Sequence, residues 1–248
     1  MVYKHFGKEI LKARGPALSD SQIDALYEHV YESFVEAFDA NDNGISAYPS
    51  DIKPAFARPF DIFWHVNLFN PPWNAPEITP QMSNESFMKA VELVSSAFDL
   101  YLSGCIDAWL PARDLVVDAL AAKKVADASL GDLEGILLLP TSCPWKDHLF
   151  EQPEVASIYY VVYPEGANAS YRIQAVPENP DSFVSKLPLP QEWLGLRDAE
   201  LDAVTGDEVE DGAIFVHRSG FIGGHKTQSG ALAMARVALK MNKRSKTE

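Results

Sequence analysis

The sequence predicts an α+β fold, in which a helical part comes first and a mixed β-sheet with helices follows. In the first part, apolar residues recur at spacings of three and four, which is typical of helices with one buried face. From about Gly135 onward, short runs of β-branched and aromatic residues indicate strands instead. We place the boundary near residue 130, giving regions 1–130 and 131–248, although a core shared by both is equally consistent with the pattern.

The first helices are marked by their breaks and caps. Gly15 and Pro16 end a helix that begins near Val2, and Ser19 with Gln22 forms the S-x-x-Q pattern of a capping box. The helix that follows carries one apolar face as far as FDANDNGIS. That face consists of Ile23, Leu26, Tyr27, Val30, Tyr31, Phe34, Val35 and Phe38.

A segment rich in proline and aromatic residues, 46–83, predicts an ordered, packed loop with short helical pieces. A long helix follows, for which Asn84 is the expected N-cap, and it runs to Leu110. Pro111 then predicts the start of a second helix, because the N–H group that proline lacks would be unpaired in a first turn.

Four strands are predicted after residue 134, in EGILLLP, VASIYYVVYP, SYRIQAVP and GAIFVH. The intervening PEGANAS reads as a hairpin loop, and KLPLPQEWLGLRDAELDAVTG as a loop that leads into a short helix. The residues TQSGALAMARVALKMN favour a closing helix, since most of them are strong helix formers.

A glycine-rich loop is predicted between the last strand and this closing helix. Glycines let backbone N–H groups approach a ligand, and the start of a helix attracts anions. The expected donors around Gly220, Gly223 and Gly224 are Arg218, His225 and Lys226. A tight turn that only starts a helix fits these residues equally well.

Two carboxylates lie in the segment DANDNGI at a helix end. Asp39 and Asp42, with the neighbouring asparagines, offer the oxygen ligands that hard cations prefer. Asn43 and Gly44 are also ordinary helix stop signals, so a simple C-cap explains the same residues.

Composition narrows the classes of function. The formal charge of −14 repels polyanions at long range and counts against broad coating of nucleic acid. A local basic cleft for a phosphate-bearing substrate remains open, because charges are screened within about 8 Å. No run of eighteen apolar residues occurs, so we expect no membrane span. The two cysteines, Cys105 and Cys143, are typical of reduced intracellular thiols.

Six segments together resemble one known family. They are DANDNGI (39–45), NPPWN (70–74), WLPARDLV (109–116), CPWKDHL (143–149), SKLPLPQEWLGLRD (185–198) and IFVHRSGFIGGHKTQSGALAMAR (214–236). The family is that of the melanocyte-proliferating-gene proteins, metal-dependent hydrolases related to the DHH phosphoesterases, with members that act as RNA exonucleases. The resemblance implies a DHH-like helical remnant in 1–130 and a DHHA1-like substrate-binding domain in 131–248.

The resemblance also implies roles for individual residues. Asp42 resembles the last metal-binding aspartate of a D-x-G motif, with Asp39 beside it, and the metal would be Mn²⁺ or Mg²⁺. His225 and Asp42 are the implied catalytic residues. RNA or a small phosphorylated molecule would be the substrate, and the mitochondrion or the nucleus the location, with the cytoplasm as the alternative. The implied substrate-binding residues are Arg218, Gly223, Gly224, His225, Lys226 and Ser229.

One departure from the family changes the expected activity. Complete members begin with H-x-G-x-x-H-x-D-E, followed by an isolated aspartate and a DHH motif, and none of these occurs in this sequence. We therefore expect a C-terminal portion of such a hydrolase, with weak or absent metal binding and little hydrolysis of its own. The alternative is a non-catalytic ligand-binding or protein-interaction module, in which the glycines serve only the fold.

Overall fold

The structure, a computed structural model, describes residues 2–49, 51–52, 60–130, 134–166 and 170–244. Across these residues it contains nine α-helices and one mixed five-stranded sheet, which confirms the predicted α+β class. The chain divides into two compact units, Met1–Leu110 (unit 1) and Pro111–Glu248 (unit 2). The domain boundary expected near residue 130 stays a prediction.

The regular elements in the described part of unit 1 are all helices, joined by turns and loops. Its helices are α1 (Val2–Arg14), α2 (Asp20–Val30), α3 (Glu36–Asp42), α4 (Ile62–Asn67) and α5 (Pro80–Gly104). A π-helical turn, Tyr31–Val35, separates α2 from α3, and a second one, Cys105–Trp109, follows α5. The predicted capping box is confirmed, because the Ser19 side chain accepts from the Gln22 N–H and the Gln22 side chain accepts from the Ser19 N–H.

The core of unit 1 lies where α1, α2 and the end of α5 meet. Its buried members are Leu11, Ile23, Leu26, Val30, Leu102, Cys105, Trp109 and Leu110. The His29 ring stacks on the Trp109 indole with a centroid separation of 3.9 Å. The three- and four-residue spacing seen in the sequence therefore marks the face that is buried.

One predicted boundary in this region is wrong. Helix α5 begins at Pro80, not after Asn84, because the Thr79 side chain accepts from the Met82 N–H and so caps the helix earlier. The second helix, predicted to start at Pro111, is confirmed to within one residue, since α6 (Leu110–Leu130) begins directly after the π turn and has Pro111 in its first turn.

The proline-rich segment 46–83 contains a short helix, α4, as predicted. Phe63 on this helix packs edge-on against Phe38, with ring centroids 5.1 Å apart. Trp73 is 95% exposed, so the expectation of a packed aromatic is wrong at that position. Phe56 lies outside the described residues.

Unit 2 contains the sheet. Its strands are β1 (Ile136–Leu138), β2 (Tyr160–Glu165), β3 (Ser170–Ala175), β4 (Ala213–Val216) and β5 (Ile222–His225), in the spatial order β1-β2-β3-β5-β4. Only the β1 and β2 pair is parallel. The antiparallel pairing of β2 with β3 confirms the predicted hairpin, whose loop residues 167–169 lie outside the described part.

Helices pack on both faces of the sheet in unit 2. One face packs on α9 (Gln228–Arg244) and α8 (Asp198–Thr205), through a core that includes Ile173, Trp193 and Met234. The other face packs, at its β1 and β2 side, on α6 and on α7 (Trp145–Phe150). On this second face β3 carries the polar side chains Arg172 and Gln174, and β4 contributes Phe215.

The prediction of a glycine loop is wrong for its central residues. Gly223, Gly224 and His225 belong to strand β5, which pairs with β3 on one side and β4 on the other. Glycine is normally unfavourable in a strand interior, so only the tertiary context shows that these glycines form a strand.

No helix in the described part of the chain is long and apolar enough to cross a membrane.

Candidate functional site

The two adjacent glycines of β5 face opposite sides of the sheet. A Cβ on Gly223 would lie 3.0 Å from the Leu189 side chain, in the core beneath α9. A Cβ on Gly224 would lie 2.4 Å from the Arg172 guanidinium on the other face. The absence of a side chain therefore makes space for Leu189 at Gly223 and for the charged Arg172 at Gly224.

His225 is completely buried at the junction of β5 and α9. Its Nδ1 accepts from the Thr227 N–H at 3.0 Å, and its Nε2 lies 3.0 Å from the Glu210 carbonyl oxygen. Because a carbonyl only accepts, these contacts assign the ring proton to Nε2. Both ring nitrogens are thus engaged inside the protein, and a substrate contact through either would have to replace one of these bonds.

At the start of α9, the hydroxyl groups of the helix bind a carboxylate of the protein itself, that of Glu210. The Glu210 carboxylate accepts a hydrogen bond from the Ser229 hydroxyl at 2.6 Å and another from the Thr227 hydroxyl. Thr227 also caps the helix, since its Oγ1 accepts from the Gly230 N–H at 3.0 Å. We call Glu210, His225, Thr227 and Ser229 the α9 corner.

Glu210 should make the stability of unit 2 dependent on pH. The hydroxyls of Ser229 and Thr227 lower the pKa of the Glu210 carboxyl below its ordinary value of 4.5. A depressed pKa in the folded state contributes stability above the unfolded pKa, and this contribution disappears as the pH falls through the folded pKa. We expect wild type to unfold at a higher temperature than Glu210→Gln at pH 7, and the difference to vanish in acid. Thermal unfolding of both proteins from pH 7 to pH 3 measures this, and a difference that does not shrink as the pH falls contradicts it.

The remaining predicted substrate residues are exposed and lie at both ends of β5. Arg218 precedes the strand, in the turn that joins it to β4, and the carbon stem of its side chain lies close to Gly195. Lys226 follows the strand, and its N–H donates to the Gly212 carbonyl at 2.9 Å. Of the predicted set, the structure therefore brings His225 and Ser229 together, with Lys226 next to them, whereas Arg218 belongs to the opposite end.

Asp39 and Asp42 belong to unit 1, at the end of α3. The Ile45 N–H donates to the Ala40 carbonyl at 2.8 Å, and Gly44 adopts the left-handed φ of 67°. With the bond from the Gly44 N–H to the Asn41 carbonyl, this is a Schellman helix end, so the interpretation of the segment as a helix stop is confirmed.

The same two carboxylates offer an incomplete ligand set for a metal. Asp42 is exposed, and Asp39 accepts a hydrogen bond from the Tyr31 hydroxyl at 3.3 Å. They line an apolar cavity of about 1300 Å³ in unit 1, together with residues such as Phe38 and Phe98. Across the described ranges, no group of three or more His, Cys, Asp or Glu side chains is placed to hold a metal ion.

Arg172 is the charged residue of β3 on the second face of the sheet, opposite α9. The sequence pattern did not single it out. Its side chain is only 15% exposed, and one end of the guanidinium forms an ion pair with Glu165. Its Nη1 is buried and has no hydrogen-bond partner among the residues described. Burial lowers the pKa of this guanidinium, which nevertheless stays charged at neutral pH.

An aromatic ring and a second arginine lie beside Arg172. The Arg172 guanidinium lies 5.1 Å from the centroid of the Phe215 ring, and that of Arg197 lies 5.6 Å from the same centroid. Phe215 and Arg172 both pair with Gly224, from β4 and β3, which places them on one face. We call Phe215, Arg172 and Arg197 the Phe215 platform.

Some signal for this platform was present in the sequence. The alternation in SYRIQA places Arg172 and Gln174 on one face of a strand and Ile173 on the other. Arg197 and Phe215 occur within segments that carry the family resemblance, but no pattern assigned them a role. Their juxtaposition depends on the pairing of β3, β5 and β4, which sequence spacing does not specify.

A small cavity continues the same face beyond Gln174. It measures about 210 Å³ and is lined by Cys143, Lys146 and Asp147 among others. Burial raises the pKa of the Cys143 thiol, so this sulfur is protonated at neutral pH and is a poor nucleophile. Covalent chemistry at this cysteine is therefore not supported.

The fold defines an α+β protein. Its unit 2 carries two polar features, the α9 corner, where a helix start binds the Glu210 carboxylate, and the Phe215 platform on the other face of the sheet. The family model MYG1_exonuc, described as "Uncharacterised protein family (UPF0160)", matches residues 1–239. The chain belongs to this family.

Curated relatives agree with this assignment. The chain is 43% identical over 245 residues to the MYG1 exonuclease of Homo sapiens, covering 96% of this chain and 62% of the human protein. It is 41% identical over 245 residues to a MYG1 protein of Schizosaccharomyces pombe, covering 96% of this chain and 72% of that protein. The chain thus spans about three fifths to three quarters of the length of these relatives. No solved structure matches it significantly.

Proposed function

We propose that this chain is the substrate-binding portion of a nuclease-type hydrolase, and that the α9 corner binds a phosphate group of an RNA substrate. Relatives that are 43% identical carry the name MYG1 exonuclease, which supports phosphodiester hydrolysis as the reaction class. The observation that carries the proposal is the Glu210 carboxylate, which is held by two hydroxyls at the start of α9. A site that binds one oxyanion has the donors to bind another.

In this mechanism the substrate phosphate takes the place of the Glu210 carboxylate. The hydroxyls of Ser229 and Thr227 donate to phosphate oxygens, and the exposed Lys226 supplies a positive charge beside them. His225 positions Thr227 and the backbone of Glu210 from below, through its two ring nitrogens. The chain thereby binds and orients the phosphodiester.

The resemblance implies Mn²⁺ or Mg²⁺ as the ion of the complete hydrolase, with Asp42 as a ligand and Asp39 beside it in the sequence. In the described ranges, no third His, Cys, Asp or Glu side chain is placed to bind a metal together with these two carboxylates. Catalytic ions need several ligands. The described residues therefore do not form a complete metal site, and we derive no step through a metal. The DHH-like ancestry of unit 1 likewise remains part of the proposal.

Phosphate binding by the α9 corner gives a direct test. Glu210→Gln removes the competing charge, so we expect it to bind inorganic phosphate and a short oligoribonucleotide about 2- to 30-fold more tightly, the range that a charge at a helix start commands. Ser229→Ala removes a donor and should weaken binding of both by about 2- to 10-fold. Isothermal titration calorimetry measures both changes. Ser103→Ala, on the exposed surface of α5 in unit 1, is the matched control for Ser229→Ala and should leave binding unchanged.

A non-catalytic module is the second candidate, and the complete burial of His225 favours it. With both ring nitrogens engaged, the Gly-Gly-His segment already has a sufficient role in packing β5 against α9. Unchanged phosphate affinity in both Glu210→Gln and Ser229→Ala would support this candidate and would contradict phosphate binding at the α9 corner.

A further inference from the structure

The Phe215 platform is a second polar feature of unit 2, on the opposite face of the sheet from the α9 helix. The Phe215 ring is half-buried, and Arg197 is exposed, with its guanidinium over the ring. Since Gly224 between β3 and β4 has no side chain, the Arg172 guanidinium and the edge of the Phe215 ring both lie close to its backbone. An aromatic ring and two guanidinium groups thus occupy one small area.

Backbone pairing holds Arg197 in place beside this ring. Arg197 forms an antiparallel bridge with Phe215, and the Val216 N–H donates to the Leu196 carbonyl at 3.1 Å. The chain turns sharply directly afterwards, where Asp198 adopts a φ of 46°, the only positive φ of a non-glycine residue in the part of the chain described. The fold therefore sets the backbone positions of Phe215 and Arg197 before any ligand arrives.

We propose that Phe215 and Arg197 stack a nucleobase of a single-stranded nucleic acid, and that Arg172 binds the adjoining phosphate in exchange for Glu165. Bases stack on aromatic rings and on guanidinium planes, and every base has such a face. The Arg172 guanidinium is already pre-positioned by an ion pair with a carboxylate that is half-exposed, and a phosphate oxygen is a stronger partner for the same donors. This inference rests on the proposed function, to which it adds a subsite for the base.

The platform explains how an acidic chain would hold nucleic acid. A net charge of −14 gives no general attraction for a polyanion. Stacking does not depend on net charge, and it adds about 5- to 150-fold in affinity for each base. The Arg172 guanidinium then supplies the local positive charge for the phosphate next to the stacked base.

The decisive experiment compares two probes, a hexamer of adenylate and an abasic hexamer with the same sugar-phosphate backbone. Binding of each to the full chain is measured by fluorescence anisotropy. We expect Phe215→Leu to weaken binding of the adenylate hexamer by about 5- to 150-fold and that of the abasic hexamer by less than about twofold. Arg197→Lys keeps the charge and removes the plane, so it should also weaken only the probe with bases. Because Arg197 is exposed, this variant is expected to fold normally.

Two further measurements separate stacking from a general loss of charge or structure. Arg14→Ala removes an exposed arginine from unit 1 and should change binding of both probes equally and slightly. A 2-aminopurine base within an otherwise abasic hexamer should lose fluorescence on binding to wild type, and should not do so with Phe215→Leu. Circular dichroism of each variant establishes that it is folded.

The possible outcomes distinguish this inference from the proposed function. Equal loss of both probes in Phe215→Leu and Arg197→Lys, or no loss of either, overturns the base subsite. If Glu210→Gln and Ser229→Ala still change phosphate binding in that case, the proposed function stands without the base subsite. If wild type binds neither hexamer, both the proposed function and the base subsite are wrong.

Discussion

Gly230→Ala is expected to destabilise unit 2 and to disrupt the α9 corner. A Cβ at this position would lie 2.0 Å from Cε1 of the His225 ring, far inside van der Waals contact. The ring cannot retreat without breaking its bonds to the Thr227 N–H and the Glu210 carbonyl. Overpacking of this kind costs about 1–3 kcal/mol or more, which corresponds to a loss of roughly 3–10 °C in melting temperature.

Gly104→Ala is the matched control for this prediction. It makes the same substitution within a helix, but nothing lies within 4 Å of the new methyl group. Alanine in place of a helical glycine stabilises a protein by about 0.4–1 kcal/mol, so the two variants should move the melting temperature in opposite directions. Differential scanning calorimetry measures both. Equal shifts of the same sign would show that His225 does not limit the space above Gly230.

Much of the fold could be predicted from local patterns, and the reason is visible in particular elements. The capping box at Ser19 needs only residues within one turn of helix. Four of the five strands are predicted by their β-branched and aromatic composition. Strand β5 was missed, because IGGH has the composition of a turn and becomes a strand only through hydrogen bonds to β3 and β4. Likewise, the start of α6 near Pro111 was predicted, but no local signal predicts the π turn that joins it to α5.

In the candidate site too, local patterns identified some residues, whereas their surroundings depend on tertiary structure. The sequence motif singled out Gly223, Gly224 and His225, whose roles in a site stay predictions, but it did not indicate their different surroundings. Which of two adjacent glycines faces a charged group depends on strand register, and β5 had not been predicted as a strand. Glu210 was missed for a related reason, since it reaches the start of α9 from the loop before β4, and only tertiary structure brings it to Ser229.

His225→Ala should cost about 2–5 kcal/mol of stability, whatever role the histidine has with substrate. The substitution leaves a cavity in place of a fully buried ring, and it leaves the Thr227 N–H and the Glu210 carbonyl without their partner. His217→Ala is the matched control. Its ring is exposed, bonds to the neighbouring Ser219 and contacts the Phe221 ring edge-on, so its loss should cost less than about 1 kcal/mol. Urea unfolding of both variants measures the difference, and similar costs would contradict the structural role of His225.

This stability effect decides how a loss of function in His225→Ala must be interpreted. A variant assayed near its unfolding transition would lose substrate binding simply because the α9 corner no longer forms. Phosphate binding should therefore be measured at a temperature where circular dichroism shows His225→Ala to be folded. Retained affinity there would mean that the ring acts only through the shape of the corner. A loss as large as that of Ser229→Ala, in the folded variant, would mean that His225 holds Thr227 in the position from which its hydroxyl reaches the phosphate.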